Sequence, residues 1–258
     1  MFTAKLKEAG LFKRIVESIK DLVSVVNFDI SGEGISFQAM DQSHVALVSL
    51  HLSSEVFQDY RCDRKFSLGI KLQNLHKILK CGENGDVLTL ECDQEDPQVL
   101  NLRFESLKHE KTSRFALNLV NQEEEQLQLP DSTYAAKVVL PSGEFLRIVR
   151  EMTQLAENIA IKVSKKTIAF EVKGDVTSGC IELKANNSDK ESEQVKVEVD
   201  EESVRNTFAL SFLNSFCKAA VLSEQVLLAM SENAPVVVEY KVNGNSHLKF
   251  YLAPKIDE

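Results

Sequence analysis

The sequence predicts an α+β fold made of two similar halves, each with two helices packed on antiparallel sheets. Three observations carry that reading. FKRIVESIKDL, beginning at Phe12, returns as FLRIVREMTQL, beginning at Phe145, 133 residues later. Without a gap the two share Phe12/Phe145, Arg14/Arg147, Ile15/Ile148, Val16/Val149 and Leu22/Leu155, and the same offset aligns Ile35 with Ile168 and Phe37 with Phe170. A register that persists from a helix into the following strand points to an internal duplication. Most of the remaining chain is β-rich and alternates at period 2, the pattern of sheets with one covered face. Only a few stretches carry the apolar stripe of an amphipathic helix.

Taken in order, the first helix covers roughly residues 9–22, with Phe12, Ile15, Val16, Ile19 and Val23 along one side. SVVNFDI and GISFQAM (34–40) follow as strands, and in the second Ile35, Phe37 and Ala39 alternate with Ser36, Gln38 and Met40. The second helix, around 72–80, uses Leu72, Leu75, Ile78 and Leu79, and Gly82 can end it. VLTLEC reads as a strand. The third helix starts near Ser142, an expected N-cap, with Glu144 in its first turn and Phe145, Ile148, Val149 and Met152 as its stripe. TIAFEV and VKVEV are strands. The fourth helix, near 211–220, uses Phe212, Leu213 and Phe216. VVVEYKV and HLKFYLAP close the pattern, and Pro254 stops it. FSLGIKLQNLHKI (66–78) matches FALSFLNSFCKA (208–219) with one gap, which aligns Lys77 with Lys218. The expected division is one domain over 1–120, a connector over 121–134 that lacks a period and contains Pro130, and a second domain over 135–258.

At 258 residues and 43% hydrophobic composition, the chain can bury two ordinary cores. No apolar run approaches the ~20 residues that cross a bilayer, and MFTAKLKEAGLFKRIV has no uninterrupted apolar core of a signal peptide. The five cysteines, Cys62, Cys81, Cys92, Cys180 and Cys217, form no CxxC pair and read as reduced thiols of a cytosolic or nuclear protein. Phosphate-loop, nucleophile-elbow and HExxH motifs are all missing. CGENGD (81–86) follows a helix rather than leading into one, so it reads as a turn. Asp41 near His44 lacks a third partner for acid–base chemistry, and no Cys/His cluster has ligand spacing. No catalytic residue, cofactor or metal is therefore expected.

The net charge of −9 is unevenly spread. Residues 61–80 carry six basic residues and one acidic, whereas 121–134 carry four acidic and no basic, and 186–203 carry seven acidic and two basic. Each helix sets Lys or Arg opposite its apolar stripe: Lys13 and Lys20, Lys77 and Lys80, Arg147 and Arg150, then Lys218. On any single helix this is what an ordinary solvated face looks like. Four such faces in an acidic chain, if they share one surface, would meet phosphates without reading sequence, and salt would weaken the contact. In the connector, Leu127 and Leu129 sit within EEEQLQLP, either as incidental residues of a solvated linker or as apolar anchors for a partner.

The blocks 11–50, 60–82, 140–155 and 236–258, including LFKRIVESIKDLVSVVNFDISGEGISFQAMDQSHVALVSL and LPSGEFLRIVREMTQL, together resemble the eukaryotic DNA sliding clamps, the proliferating cell nuclear antigen family. The resemblance implies a DNA-clamp fold that closes into a trimeric ring, with helices lining a hole around duplex DNA and sheets outside. It implies a polymerase processivity factor of the nucleus, without catalysis. Lys20, Lys77, Lys80, Arg150 and Lys218 match inner-surface basic positions, with Lys13, Arg14 and Arg147 as additions; Ser211 stands where relatives often have a basic residue, and Gln154 where some have histidine. The family's partners, DNA polymerase, clamp loader, flap endonuclease and DNA ligase, bring a PIP-box peptide. Its pocket would use Met40, His44, Leu127, Leu129, Tyr134, Pro235, Ala253 and Pro254. Ring closure would use 112–119 and 178–185 as edge strands, and the ubiquitin-accepting lysine aligns with Lys165, beside Lys166. The competing readings are a monomeric β-rich scaffold that binds peptides without encircling DNA, and an enzyme with a dispersed site.

Overall fold

The computed structural model describes residues 1–93, 95, 97–106, 108–121, 133–200 and 202–255. The first half runs β1 (Phe2–Leu6), α1 (Ala9–Ile19), β2 (Val25–Ser31), β3 (Gly34–Met40), β4 (Ala46–Ser53), β5 (Asp59–Cys62), β6 (Phe66–Lys71), α2 (Leu72–Leu79), β7 (Val87–Cys92), β8 (Val99–Ser106) and β9 (Lys111–Asn118). The second half runs in the same order: β10 (Ala136–Pro141), α3 (Ser142–Met152), β11 (Asn158–Ser164), β12 (Thr167–Lys173), β13 (Ser178–Lys184), β14 (Lys196–Val199), β15 (Ser203–Ala209), α4 (Leu210–Phe216), β16 (Gln225–Met230), β17 (Val236–Lys241) and β18 (His247–Leu252).

The duplication is visible element by element. The helices α1 and α3 are both 11 residues long and start at residues 9 and 142, 133 positions apart. The same offset separates the starts of β2 and β11, at 25 and 158, and of β3 and β12, at 34 and 167. The repeated side chains are core residues in both halves: Phe12, Ile15 and Val16 are fully buried, and so are Phe145, Ile148 and Val149. Phe12 lies 6.2 Å from Phe28, centroid to centroid, and Phe145 lies 6.1 Å from Phe170.

Two compact units are present. The first contains Met1–Gln42, Val48–Gln128 and Val242–Leu248, and the second Ser43–Leu47, Leu129–Lys241 and Lys249–Glu258. Within the first, β5–β1–β7–β8–β9 form one antiparallel sheet and β4–β3–β2–β6 are neighbours in another. Within the second, β13–β12–β11–β15 form one sheet and β14–β10–β16–β17 are neighbours in another. α1 packs on α2, and α3 packs on α4 and the 3₁₀ turns of 217–222.

The four helix starts share one device. The N–H of the first helical residue donates to a backbone carbonyl that immediately precedes a strand: Ala9 to Asp86 before β7 (2.7 Å), Leu72 to Ser24 before β2 (3.0 Å), Ser142 to Glu224 before β16 (2.8 Å) and Leu210 to Glu157 before β11 (2.9 Å). Backbone carbonyls thus satisfy N–H groups that side-chain caps serve elsewhere. Ser142 is accordingly not an N-cap. Pro141 holds that place, and the Ser142 hydroxyl is buried with no hydrogen-bond partner among the described residues. The CGENGD turn gains a purpose, because it supplies both the Asp86 carbonyl and the Asn84 carbonyl that accepts from Gly10 at 2.9 Å. Gly82 in that turn leaves room for the Phe104 ring, which an added Cβ would overlap.

Candidate functional site

In the first unit, the polar faces of α1 and α2 carry the predicted cations in very different states. Arg14, Lys77 and Lys80 are exposed. Lys77 and Lys80 form no salt bridge among the described residues, so their charge is available to an incoming anion. Lys13 is half-buried, and its Nζ donates to the Gly82 carbonyl at 2.7 Å, just past the α2 C-terminus, where a cation is favoured by the helix dipole. Lys20 is mostly covered, with its side chain 13% exposed, and stands 3.1 Å from Asp21 and 3.5 Å from Glu17. Burial pulls its pKa down, but the Asp21 and Glu17 carboxylates outweigh burial and hold it above the ordinary lysine value. Glu17 also reaches His76 on α2, with Nε2 and Oε2 3.0 Å apart, and the Gln73 amide donates to the Lys20 carbonyl at 3.2 Å. The two helices are therefore joined by a polar seam that includes one of the predicted phosphate contacts.

In the second unit, Arg147, Arg150 and Lys218 are exposed on α3 and on the 3₁₀ turns after α4. Arg147 is gripped by its own helix: its Nε and Nη2 donate to Glu144, and Nη1 donates to Glu151 at 3.3 Å. Hydrogen bonding to Glu144, then the charges of Glu144 and Glu151, raise its pKa. Arg150, one turn further on, has no salt bridge among the described residues. Ser211 and Gln154 are both exposed.

Several expected peptide-pocket residues lie in the second unit. Ala253 donates its N–H to the Val45 carbonyl at 3.1 Å, tying the segment after β18 to the turn before β4. In that turn His44 is exposed in the left-handed region, at φ 56°. Tyr134, Ala253 and Pro254 are half-buried and Pro235 is exposed. Burial raises the Tyr134 pKa, and burial followed by the neighbouring Tyr134 and Glu239 pushes Tyr251 up to about 12. Tyr251 and the exposed Val45 thus belong with this group, although neither stood out in the sequence; both sit in ordinary strand-like runs. Met40 is half-buried at the end of β3, in the first unit. Leu127 and Leu129 lie outside the described residues.

The two expected edge strands are sheet ends: β9 is the last strand beyond β8, and β13 the last beyond β12. Lys165 and Lys166 form the exposed two-residue turn between β11 and β12. Among the described residues, no group of three or more His, Cys, Asp or Glu side chains is placed to hold a metal. No described helix is long and apolar enough to cross a membrane.

Comparison with known proteins matches two family models in tandem. The model for the N-terminal domain of proliferating cell nuclear antigen covers residues 1–126, and that for its C-terminal domain covers 128–255. The chain is 42% identical to a proliferating cell nuclear antigen of Chaetomium thermophilum over 259 aligned positions, covering 100% of this chain and 99% of the relative. It is 45% identical to one of Dictyostelium discoideum over 258 positions, covering 100% of both.

Proposed function

The chain belongs to the proliferating cell nuclear antigen family, and from that premise we propose that three copies close head to tail into a ring whose helix faces surround duplex DNA. It is a DNA sliding clamp and a processivity factor. In the proposed ring the clamp works by topology: the ring cannot fall off, and weak phosphate contacts let it move along the helix.

The observation that carries this reading is the placement of available charge. In a chain of net charge −9, Lys77, Lys80 and Arg150 stand exposed on helix faces with no salt bridge among the described residues. Such cations bind phosphate without reading bases. Lys20, Lys218, Arg14, Lys13 and Arg147 complete the proposed DNA surface, the last two from anchored positions. The chain acts as a platform rather than as a catalyst. Polymerase, clamp loader, flap endonuclease and ligase dock in the nucleus through PIP-box peptides, on Met40, His44, Leu127, Leu129, Tyr134, Pro235, Ala253 and Pro254. Lys165, exposed at a hairpin tip, is the proposed ubiquitin acceptor.

Light scattering on a sizing column tests the ring. Three copies of 28.9 kDa make 86.7 kDa. A mass near that value, together with retention on nicked circular DNA and release on linearising it, supports encirclement. A 28.9 kDa monomer that persists at high concentration overturns it.

A further inference from the structure

The seam between α1 and α2 holds a titratable group, His76. His76 lies on α2 at its contact with α1, next to Lys77 in sequence, and is buried at 8% exposure. Its Nε2 is 3.0 Å from Glu17 of α1, and Glu17 in turn is 3.5 Å from Lys20. From α1 the imidazole faces Glu17, Lys20 and Asp21, and from α2 it faces Lys80. The strands β6 and β9 also pack on α2, and among the described residues they bring no charge that acts on it. Two cations and two carboxylates cancel around it. Adding one proton to His76 turns a balanced seam into a positive one.

We propose that His76 is a proton-linked positioning residue of the DNA surface: it takes up a proton as a phosphate of duplex DNA approaches the α1–α2 seam, neutralises Glu17 and releases Lys20 to the phosphate. This rests on the reading that α1 and α2 face DNA. The physical basis is the double use of Glu17. While His76 is neutral, the Glu17 and Asp21 carboxylates both serve Lys20, and a phosphate must compete with two anions for one ammonium. Once His76 is charged, Glu17 has a second cation at 3.0 Å, and the competition for Lys20 falls to Asp21. Burial holds the imidazole pKa below its ordinary value of 6.5, with Lys80 and Lys20 adding to that and Glu17 and Asp21 opposing it. At neutral pH the seam is therefore uncharged at His76 until an anion arrives. A phosphate nearby favours the charged imidazole, and linkage requires the converse: protonation tightens phosphate binding.

The test uses the assembled wild-type protein, His76→Gln and Glu17→Gln. NMR follows the imidazole resonance of His76 through a pH titration, with and without a blunt duplex at low salt. The expected result is a His76 pKa that rises when duplex is added. Fluorescence anisotropy with the same duplex, from about pH 8 to about pH 5.5, gives a wild-type affinity that increases on acidification more than that of His76→Gln. At the acid end, the wild-type slope of log K against log salt is steeper than that of His76→Gln by about 0.9 per engaged seam. Glu17→Gln binds more tightly than wild type at neutral pH, because Lys20 has lost one internal competitor. The proposal is overturned if duplex binds while the His76 pKa stays put and the wild-type and His76→Gln pH profiles run parallel. If wild type binds no duplex at any pH, the assignment of these faces to DNA fails instead, and the proposal with it. Wild-type NMR decides the matter even if either variant folds poorly.

Discussion

Replacing Lys77, Lys80 and Arg150 together by alanine removes three exposed cations that no described carboxylate neutralises. Each cation that meets a phosphate displaces a condensed counterion and contributes about 0.9 to the slope of log K against log salt. For each subunit engaged with the duplex, three lost contacts flatten that slope by about 2.7. Over a fourfold rise in salt, from about 50 to about 200 mM, the difference is about 1.6 decades per engaged subunit, so with one subunit engaged wild type loses about 40-fold more affinity than the variant across that range. Arg147→Ala flattens the slope by less than one full contact, because Glu144 and Glu151 already occupy the guanidinium. Lys166→Ala, on the β11–β12 turn, serves as the exposed-lysine control. The assay is fluorescence anisotropy of a labelled duplex at a series of salt concentrations. A triple variant with the wild-type slope, or a Lys166→Ala slope as flat as that of the triple variant, refutes the assignment of phosphate contacts to the helix faces.

Three further outcomes are expected. Phe12→Ala and Phe145→Ala, which empty equivalent fully buried positions in the two halves, each cost about 3–5 kcal/mol, read by urea unfolding. Leu127→Ala/Leu129→Ala lowers the affinity for a fluorescent PIP-box peptide by about tenfold or more, and equal affinity removes the connector from the peptide site. Alkaline stability carries a sign set by Cys217, whose thiol burial pushes up to about 12 from an ordinary value of 9.0. The folded thiol keeps its proton while the unfolded one ionises. Its contribution is complete below about pH 9 and is lost as pH rises toward 12, with a slope of about 1.4 kcal/mol per pH unit; urea midpoints measured from neutral to alkaline pH fall less steeply in Cys217→Ala.

Side-chain periodicity makes the duplication and the core legible in the sequence. Phe12, Ile15 and Val16 repeat as Phe145, Ile148 and Val149 because the same helix buries the same stripe twice. The sequence points to the start of α3 near Ser142, where the helix begins, but not to what serves its first N–H. Ser142 looks like a cap, but the N–H there is served by the Glu224 carbonyl, and a backbone carbonyl 82 positions away leaves no residue-type signal. The cations were legible as types and not as states. Nothing in the spacing of Lys13, Lys77 and Lys80 distinguishes an ammonium tied to the Gly82 carbonyl from two that are open to solvent. The Arg147 case was nearer the surface of the sequence, since Glu144 and Glu151 lie three and four positions away, the spacing at which helix side chains meet. The Glu17–His76 contact could not be read at all, because it depends on how α1 and α2 cross.

The edge strands argue for how copies meet. β9 and β13 each end a sheet and each pair on one side with the strands named above. An open edge is a row of unpaired N–H and C=O groups that attracts another chain. The two edges are different in sequence: TSRFALNL (112–119) carries Arg114 and Phe115, and SGCIELKA (178–185) carries Ile181, Glu182 and Leu183. A two-fold dimer joining β9 to β9 would leave β13 bare in both copies. Joining β9 of one copy to β13 of the next uses each edge once, and repeats until the last copy meets the first. Such a head-to-tail contact closes into a ring or grows into a filament according to its rotation. A threefold rotation leaves neither edge open, so a finite mass near three copies is expected together with protected β9 and β13 edges. A dimer joined β9 to β9 would instead leave both β13 edges exposed.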